Sequence, residues 1–298
     1  MKIAITGASG LIGRRLLKTL AKEGHALHAL SRHAGTNLPP GVRISAWDPE
    51  KGEPPEEALR GADAVIHLAG ENVAQRWTAE AKRRIRESRV AGTRNLVRAM
   101  AKLERKPGAL VCASAVGYYG SRGDETLTEA SAPGSGFLPE VCVAWEREAQ
   151  AAEALGIRVA RMRTGVALDP RGGAMKKLLP AFRMGVGGRL GDGRQWMPWI
   201  HLDDLAALFL FVLENRVAGP VNAVAPRPVT NAGFTRELAG ALHRPALLPV
   251  PKMALRLLLG EMSEVLLASQ RVVPQAAEAA GFRFQFPELS GALGDLLK

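Results

Sequence analysis

The chain has 298 residues, 47% hydrophobic and 23% charged, with a formal net charge of +11 and two cysteines. That composition describes an ordinary globular chain, long enough for one large domain or two modest ones. Two cysteines are too few for a disulfide framework, and scarce aromatics, not interleaved with the basic residues, argue against a stacking platform for single-stranded nucleic acid.

Residues 2–6 (KIAIT) are apolar on both faces, as a central parallel strand should be. Gly7-Ala8-Ser9-Gly10-Leu11-Ile12-Gly13 follows, then a helix with Leu16, Leu17 and Leu20 on one side and Gly24 at its C-terminal end. A second strand runs from His25 to Leu30. This βαβ unit carries glycines at intervals of three, suited to a tight turn, close backbone approach to a pyrophosphate, and helix–strand packing. The amides opening the helix and its dipole favour an anion there. An NAD-binding unit places Asp or Glu at the end of the second strand, for the ribose 2′-hydroxyl. Here no acid occurs between Gly24 and Asp48, and the position holds Ser31-Arg32. A hydroxyl and a guanidinium suit a 2′-phosphate, so the expected cofactor is NADP(H).

After Arg32 the pattern predicts a polar, Pro-rich loop and a strand near Val42 to Trp47, with Asp48 as a strand-end cap. A fourth strand starts at Ala64 and ends in Leu68-Ala69-Gly70, small enough at Ala69 and Gly70 for a cofactor to lie against the backbone. His67, inside that apolar run, reads as a satisfied core histidine. From Arg76 to Lys106 there are eleven Lys/Arg and three Glu, but Ile85, Val90, Leu96, Val97, Met100 and Leu103 keep helical apolar spacing. Most of that charge is therefore expected to be a solvated helix face, not a specific nucleic-acid site. Gly92 within this helix costs about 1 kcal/mol, which implies a close neighbour. Arg89, one turn earlier, can reach the cofactor phosphates or the strand-end loop.

A fifth strand (Ala109 to Ala113) leads into Ser114-Ala115-Val116-Gly117-Tyr118-Tyr119-Gly120. A polar loop (Ser121 to Gly136), a helix from about Leu138 to Leu155 and a sixth strand, Arg158 to Arg163, come next. Gly172 to Gly193, rich in glycine and carrying Lys176, Lys177, Arg183 and Arg189, is expected to form a mobile flap near the nicotinamide, suiting an anionic substrate or simply a solvated lid. Asp203 and Asp204 look like N-caps for a helix reaching Leu213, with a structural role for His201 as well. Short helices and loops follow from Pro226. No metal-ligand cluster is visible. The longest apolar run, Leu205 to Leu213, is too short to cross a bilayer, so neither a membrane partner nor a signal peptide is expected, and the compartment expected is the cytoplasm.

The TGASGLIG opening, the HLAG strand end, SAVGYYG and WIHLDD resemble an extended short-chain dehydrogenase/reductase. AGENVAQRW (69–77), VCVAWEREA (141–149), the run from Gly172 to Leu205 and GPVNAVAPRPVTNAGF (219–234) are similar to its atypical, NADP-dependent "epimerase family" branch, sometimes misnamed a cell-division inhibitor. The resemblance implies a doubly wound parallel α/β sheet of Rossmann type (1–168 and 196–225). It also implies a flap and small C-terminal substrate cap (169–195 and 226–298). Its NADP contacts would be Ser31, Arg32, Leu68, Ala69 and Arg89, beside Gly70 and the turn formed by Gly7, Ser9, Gly10, Leu11, Ile12 and Gly13.

The sequence departs from that family at the proton relay. Extended members use Tyr-x-x-x-Lys, whose lysine charge favours loss of the phenol proton as hydride moves. Here the tyrosine place falls at about Cys142, the lysine place at about Glu146, and the serine place at Ala115, with Ser114 one residue earlier. The remaining candidates are Ser114, Tyr118, Tyr119, Cys142 and Glu146. Each also has a structural reading: Cys142 as a small buried residue, Glu146 with Arg147 as surface charge, and the tyrosines as packing under the cofactor. The expectation is an NADP(H)-dependent oxidoreductase or epimerase for a small sugar-like or anionic substrate, with a non-catalytic NADP(H)-binding or redox-sensing module as the alternative.

Overall fold

In the computed structural model, which describes residues 1–32 and 38–298, the strands form where the apolar runs lie. The polar loop read after Arg32 falls partly outside the described residues. Among those residues, seven parallel strands make one sheet: β1 (Lys2–Thr6), β2 (Ala26–Ser31), β3 (Arg43–Ala46), β4 (Ala64–His67), β5 (Ala109–Ala115), β6 (Arg158–Thr164) and β7 (Gly219–Ala223). Their spatial order is 3-2-1-4-5-6-7, the doubly wound arrangement. Alternation along the strands feeds two cores. Ile3, Ile5, Ile66 and Val111 meet Leu16, Leu17 and Leu20 of α1 (Leu11–Lys22) on one face. Ala4, Val65 and Leu110 meet Leu96 and Met100 of α2 (Ala79–Lys102) and Trp145 of α3 (Phe137–Gln150) on the other. Each fully buried Leu contributes about 1.5–3 kcal/mol.

Local chemistry sets the element ends. Helix α1 stops in a Schellman motif: Gly24, at φ +76°, donates to the Ala21 carbonyl, and His25 donates to that of Leu20, both at 3.1 Å. The Thr78 side chain caps α2 by accepting from the Ala81 amide. Gly92 has the close neighbour its cost implied, since a Cβ there would sit 2.7 Å from Pro49 Cβ. Much of the basic charge of α2 is paired on its surface, as in Arg83–Glu80, Arg94–Glu148 and Lys102–Glu53.

The structure differs from the sequence reading at five points. Strand β5 continues to Ala115, and the following helix gives way to a 3-10 turn at Ala151–Leu155. The loop after Gly120 contains a short strand, Thr126–Leu127, paired in parallel with Arg271–Val272. The segment read as a flap carries a helix, α4 (Gly173–Arg183), with Met175, Leu179 and Phe182 buried. These side chains share a third core with Trp199, with Phe234 and Leu238 of α6 (Asn231–Ala241), and with Leu289 and Leu293 of α8 (Leu289–Leu296). Finally, α5 (Leu202–Glu214) is capped by His201, whose Nδ1 accepts from the Asp203 amide at 3.1 Å. Asp203 instead pairs with Arg15, and Asp204 accepts from the Gln285 and Phe286 amides, tying the C-terminal segment to the sheet.

Candidate cofactor cleft and proton-transfer site

Ligands of doubly wound sheets bind beyond the carboxyl ends of the strands. At the end of β1, Gly7 turns the chain with φ +67°. A Cβ on Gly7 would lie 2.7 Å from the Leu68 carbonyl carbon, and one on Gly13 would lie 2.3 Å from the Gly7 oxygen. Glycine at these two positions is what lets turn, helix and β4 loop meet. Helix α1 begins after Gly10 with no side-chain cap and no acid in its first turn. The amides of Leu11, Ile12 and Gly13 are thus without intrahelical partners, next to the exposed Ser9 and Gly10. A cradle of this shape and polarity fits a dinucleotide pyrophosphate.

The loop after β4 is fixed by a buried polar chain. Thr6 Oγ1 accepts from the Leu68 and Ala69 amides, both at 3.1 Å. Its own hydrogen therefore points to His67 Nδ1 at 2.7 Å, leaving His67 Nε2 to donate to Thr93 Oγ1 at 3.0 Å. Burial first, and the Arg89 charge second, lower the His67 pKa to about 3, so it is a neutral core histidine. Arg89 reaches the strand-end loop: a Cβ on Gly70 would meet its guanidinium at 3.0 Å, while its Nη1 donates to the Ile85 carbonyl. Ser31 is buried at the end of β2 and Arg32 is exposed just beyond it.

At the other end of the site, β5 and β6 bring Ser114 and Arg163 together over α3. Glu146 is buried, not surface charge: Arg163 holds it through Nε–Oε1 at 2.8 Å and Nη2–Oε2 at 2.9 Å, and Ser114 donates to Oε1 at 2.7 Å. Burial works against the Arg163 charge, but the hydrogen bonds and charge of Glu146 outweigh it and hold Arg163 above its ordinary range. Arg163 Nη1 also donates to Tyr119 Oη at 3.0 Å, and Tyr119 donates to Asn222 Oδ1 at 2.6 Å. Asn222 in turn donates to the Val273 carbonyl at 2.9 Å. Burial pushes the Tyr119 pKa up to about 12, and burial together with the Glu146 charge pushes Cys142 up to about 12. Neither exchanges protons readily at neutral pH.

Tyr118 stands apart. It is half-buried, its ring centroid lies 3.5 Å from Arg163 Cζ, and its hydroxyl makes no hydrogen bond among the described residues. Gln270 frames this turn, donating to the Val116 and Gly120 carbonyls, both at 2.9 Å. Separately, Lys177 of α4 donates to the Ala74 carbonyl at 3.1 Å, spanning from α4 to the 69–77 loop. The five candidate side chains thus gather at one place, but four are buried, and among the five Tyr118 alone combines partial solvent access with a hydroxyl that makes no hydrogen bond to the described residues. Thr6, Thr93, Arg163, Asn222 and Gln270 were not singled out in the sequence. Three arginines, Arg158, Arg161 and Arg163, in one central strand are the signal that could have drawn attention to Arg163.

Two family models match the chain. The NAD dependent epimerase/dehydratase family matches residues 3–225, and a domain of unknown function (DUF1731) matches residues 250–296. An epimerase family protein of Mycobacterium bovis is 42% identical over 295 residues, covering 98% of this chain and 96% of its own. Another, of Bacillus subtilis, is 40% identical over 299 residues, covering 100% and 98%. The human epimerase family protein SDR39U1, solved with NADPH, superposes with a TM-score of 0.88 at 34% identity, covering 100% of this chain and 99% of that one. The chain belongs to the NAD dependent epimerase/dehydratase family, as an atypical extended short-chain dehydrogenase/reductase.

Proposed function

Starting from that membership, we propose that the chain is an NADP(H)-dependent oxidoreductase that works in the direction of carbonyl reduction. The observation that carries the cofactor choice is the end of β2. Ser31 and the exposed Arg32 stand where an NAD-selective unit needs an acid, and no acid occurs between Gly24 and Asp48. The glycine cradle supports the pyrophosphate, Leu68 to Gly70 and Arg89 flank that cradle, and the human relative solved with NADPH agrees with the choice.

A reduced nicotinamide bound there supplies a hydride. In this reading Tyr118 gives its phenolic proton to the carbonyl oxygen and recovers one from solvent, to which it is half open. The Arg163 guanidinium on its ring face favours negative charge on the phenol oxygen, in place of the family's lysine. Because Glu146 already pairs with Arg163, that help is weakened and turnover is expected to be modest. With a hydroxyl hydrogen to give and no lysine beside it to help take one up, the site favours carbonyl reduction over alcohol oxidation. The exposed Lys176, Arg183 and Arg189 suit a small anionic substrate.

The occupied Glu146–Arg163 pair favours a second reading, a non-catalytic NADP(H)-binding module, because it closes the place where the usual relay would stand. Calorimetry with both cofactors tests the shared premise. NADPH should bind at least about tenfold tighter than NADH, roughly 1.4 kcal/mol, and Arg32→Asp should reverse the order. Equal affinities in the parent protein would overturn the NADP(H) assignment. NADPH oxidation with a panel of small carbonyl compounds then separates the enzyme from the binding module.

A further inference from the structure

The third core leaves one face of the molecule uncovered. Met184 and Val186, after α4, lie beside Leu247 and Leu248 and the short helix α7 (Lys252–Leu259). The two segments are joined by backbone: Gly191 donates to the Val250 carbonyl and Val250 to that of Arg189, each at 2.8 Å, and a Cβ at Gly185 would touch Pro245 at 3.5 Å. In α7 only Leu255 is buried. Met253, Arg256 and Leu257, at helical spacing i, i+3, i+4, point the other way. Leu247, Met253 and Leu257 are 84%, 81% and 81% exposed, and Met184, Leu248 and Leu258 are also more than half exposed. Large apolar side chains gathered in one exposed patch mark an interaction site.

Charge says what kind. Residues 170–191 contain Arg171, Lys176, Lys177, Arg183 and Arg189 and no Asp or Glu. Residues 238–260 contain Arg244, Lys252 and Arg256, again with no acid. Three of the four acids bordering these windows are engaged, Asp169 with Arg171 at 2.5 Å, Asp192 with Lys252 at 2.8 Å and Glu261 with Lys82; the fourth is Glu237. An apolar patch rimmed by cations whose long stems can lie flat beside it matches the headgroup–acyl boundary of an anionic bilayer. We propose that this face, built from α7 and the segments 184–190 and 244–250, attaches the protein peripherally to anionic membrane surfaces. Such contact needs no spanning segment, and none of the helices among the described residues is long and apolar enough to span. It differs from the sequence expectation of no membrane partner, which rested on the absence of such a segment.

The test is co-sedimentation of the full chain with phosphatidylglycerol/phosphatidylcholine vesicles and with pure phosphatidylcholine vesicles. Binding should occur to the anionic vesicles, weaken as salt is raised, and drop about tenfold or more in Met253→Glu/Leu257→Glu. If that variant loses thermal stability, Lys252→Glu/Arg256→Glu makes the same test through the cationic rim and should lose binding in the same way. No vesicle binding, or equal binding to both compositions, overturns the proposal. So does a parent that ignores vesicles but self-associates in sedimentation velocity through Met253 and Leu257, because the face then belongs to a second copy of the chain.

Discussion

Beyond β1, the first-turn amides of α1 stand without intrahelical partners, and Gly7 and Gly13 keep side chains out of the way. Beyond β5 and β6, Ser114, Glu146, Arg163, Tyr119 and Asn222 are joined in one hydrogen-bonded chain, completed by the Glu129 and Val273 carbonyls. The first region is built with open donors and therefore has a use for a ligand. The second is closed on itself and is stable without one. Within one sheet, the end proposed for the dinucleotide is open, while the end proposed for proton transfer holds a buried ion pair. The two ends can be altered separately, because each depends on side chains from different loops.

The largest effect should come from breaking the closed end. Arg163→Ala leaves buried Glu146 with only Arg161, 3.9 Å away and not hydrogen-bonded to it, as counter-charge and should cost about 3 kcal/mol in urea unfolding, whereas the double change Arg163→Met/Glu146→Leu should recover most of that loss. A single-variant cost below about 1 kcal/mol would mean that the pair is not the brace described.

Next come the two adjacent tyrosines, which the comparison separates. Tyr118→Phe should leave stability unchanged but reduce NADPH-dependent turnover about a hundredfold, the lower end for loss of a general acid. Tyr119→Phe should cost about 1 kcal/mol of stability through its lost hydrogen bonds and leave the proton step in place. Parental turnover in Tyr118→Phe would remove it as the proton donor and bring the binding-module reading forward.

At the open end the sharpest handle is pH. His67 has a folded-state pKa of about 3, below the unfolded value of 6.5, so the unfolded chain takes up a proton first as the solution is acidified. Its contribution is complete above pH 6.5 and is lost progressively as pH falls from there towards 3. By pH 5 the loss is about 2 kcal/mol. His67→Gln should flatten the stability profile between pH 6.5 and 5, and an unchanged slope in that variant would show that another group sets the acid sensitivity.

Much of the open end was legible in the sequence because most of its determinants are local, the approach of the Leu68 backbone to Gly7 being the exception. A strand, a turn that needs glycine and a helix with Leu16, Leu17 and Leu20 follow one another within two dozen residues. The missing acid at the end of β2 is likewise a statement about neighbours in the chain. The neutral, paired state of His67 also followed from its apolar run, although its partners Thr6 and Thr93 did not.

What the chain order could not show was who partners whom across the sheet. Glu146 read equally as surface charge because nothing within its own helix identifies Arg163, and Tyr119 meets Asn222 from 103 residues away. His201 took the capping role from the two aspartates beside it, since Asp204 was drawn to amides 81 and 82 residues further on. The glycine-rich segment became a helix because Met175, Leu179 and Phe182 found a core supplied by α6 and α8. Backbone geometry at a turn is set by the residues that form it, so sequence alone determined the dinucleotide cradle. The burial and pairing of a polar side chain are set by whatever the sheet brings opposite, so only the tertiary structure decided the fate of the proton-transfer site.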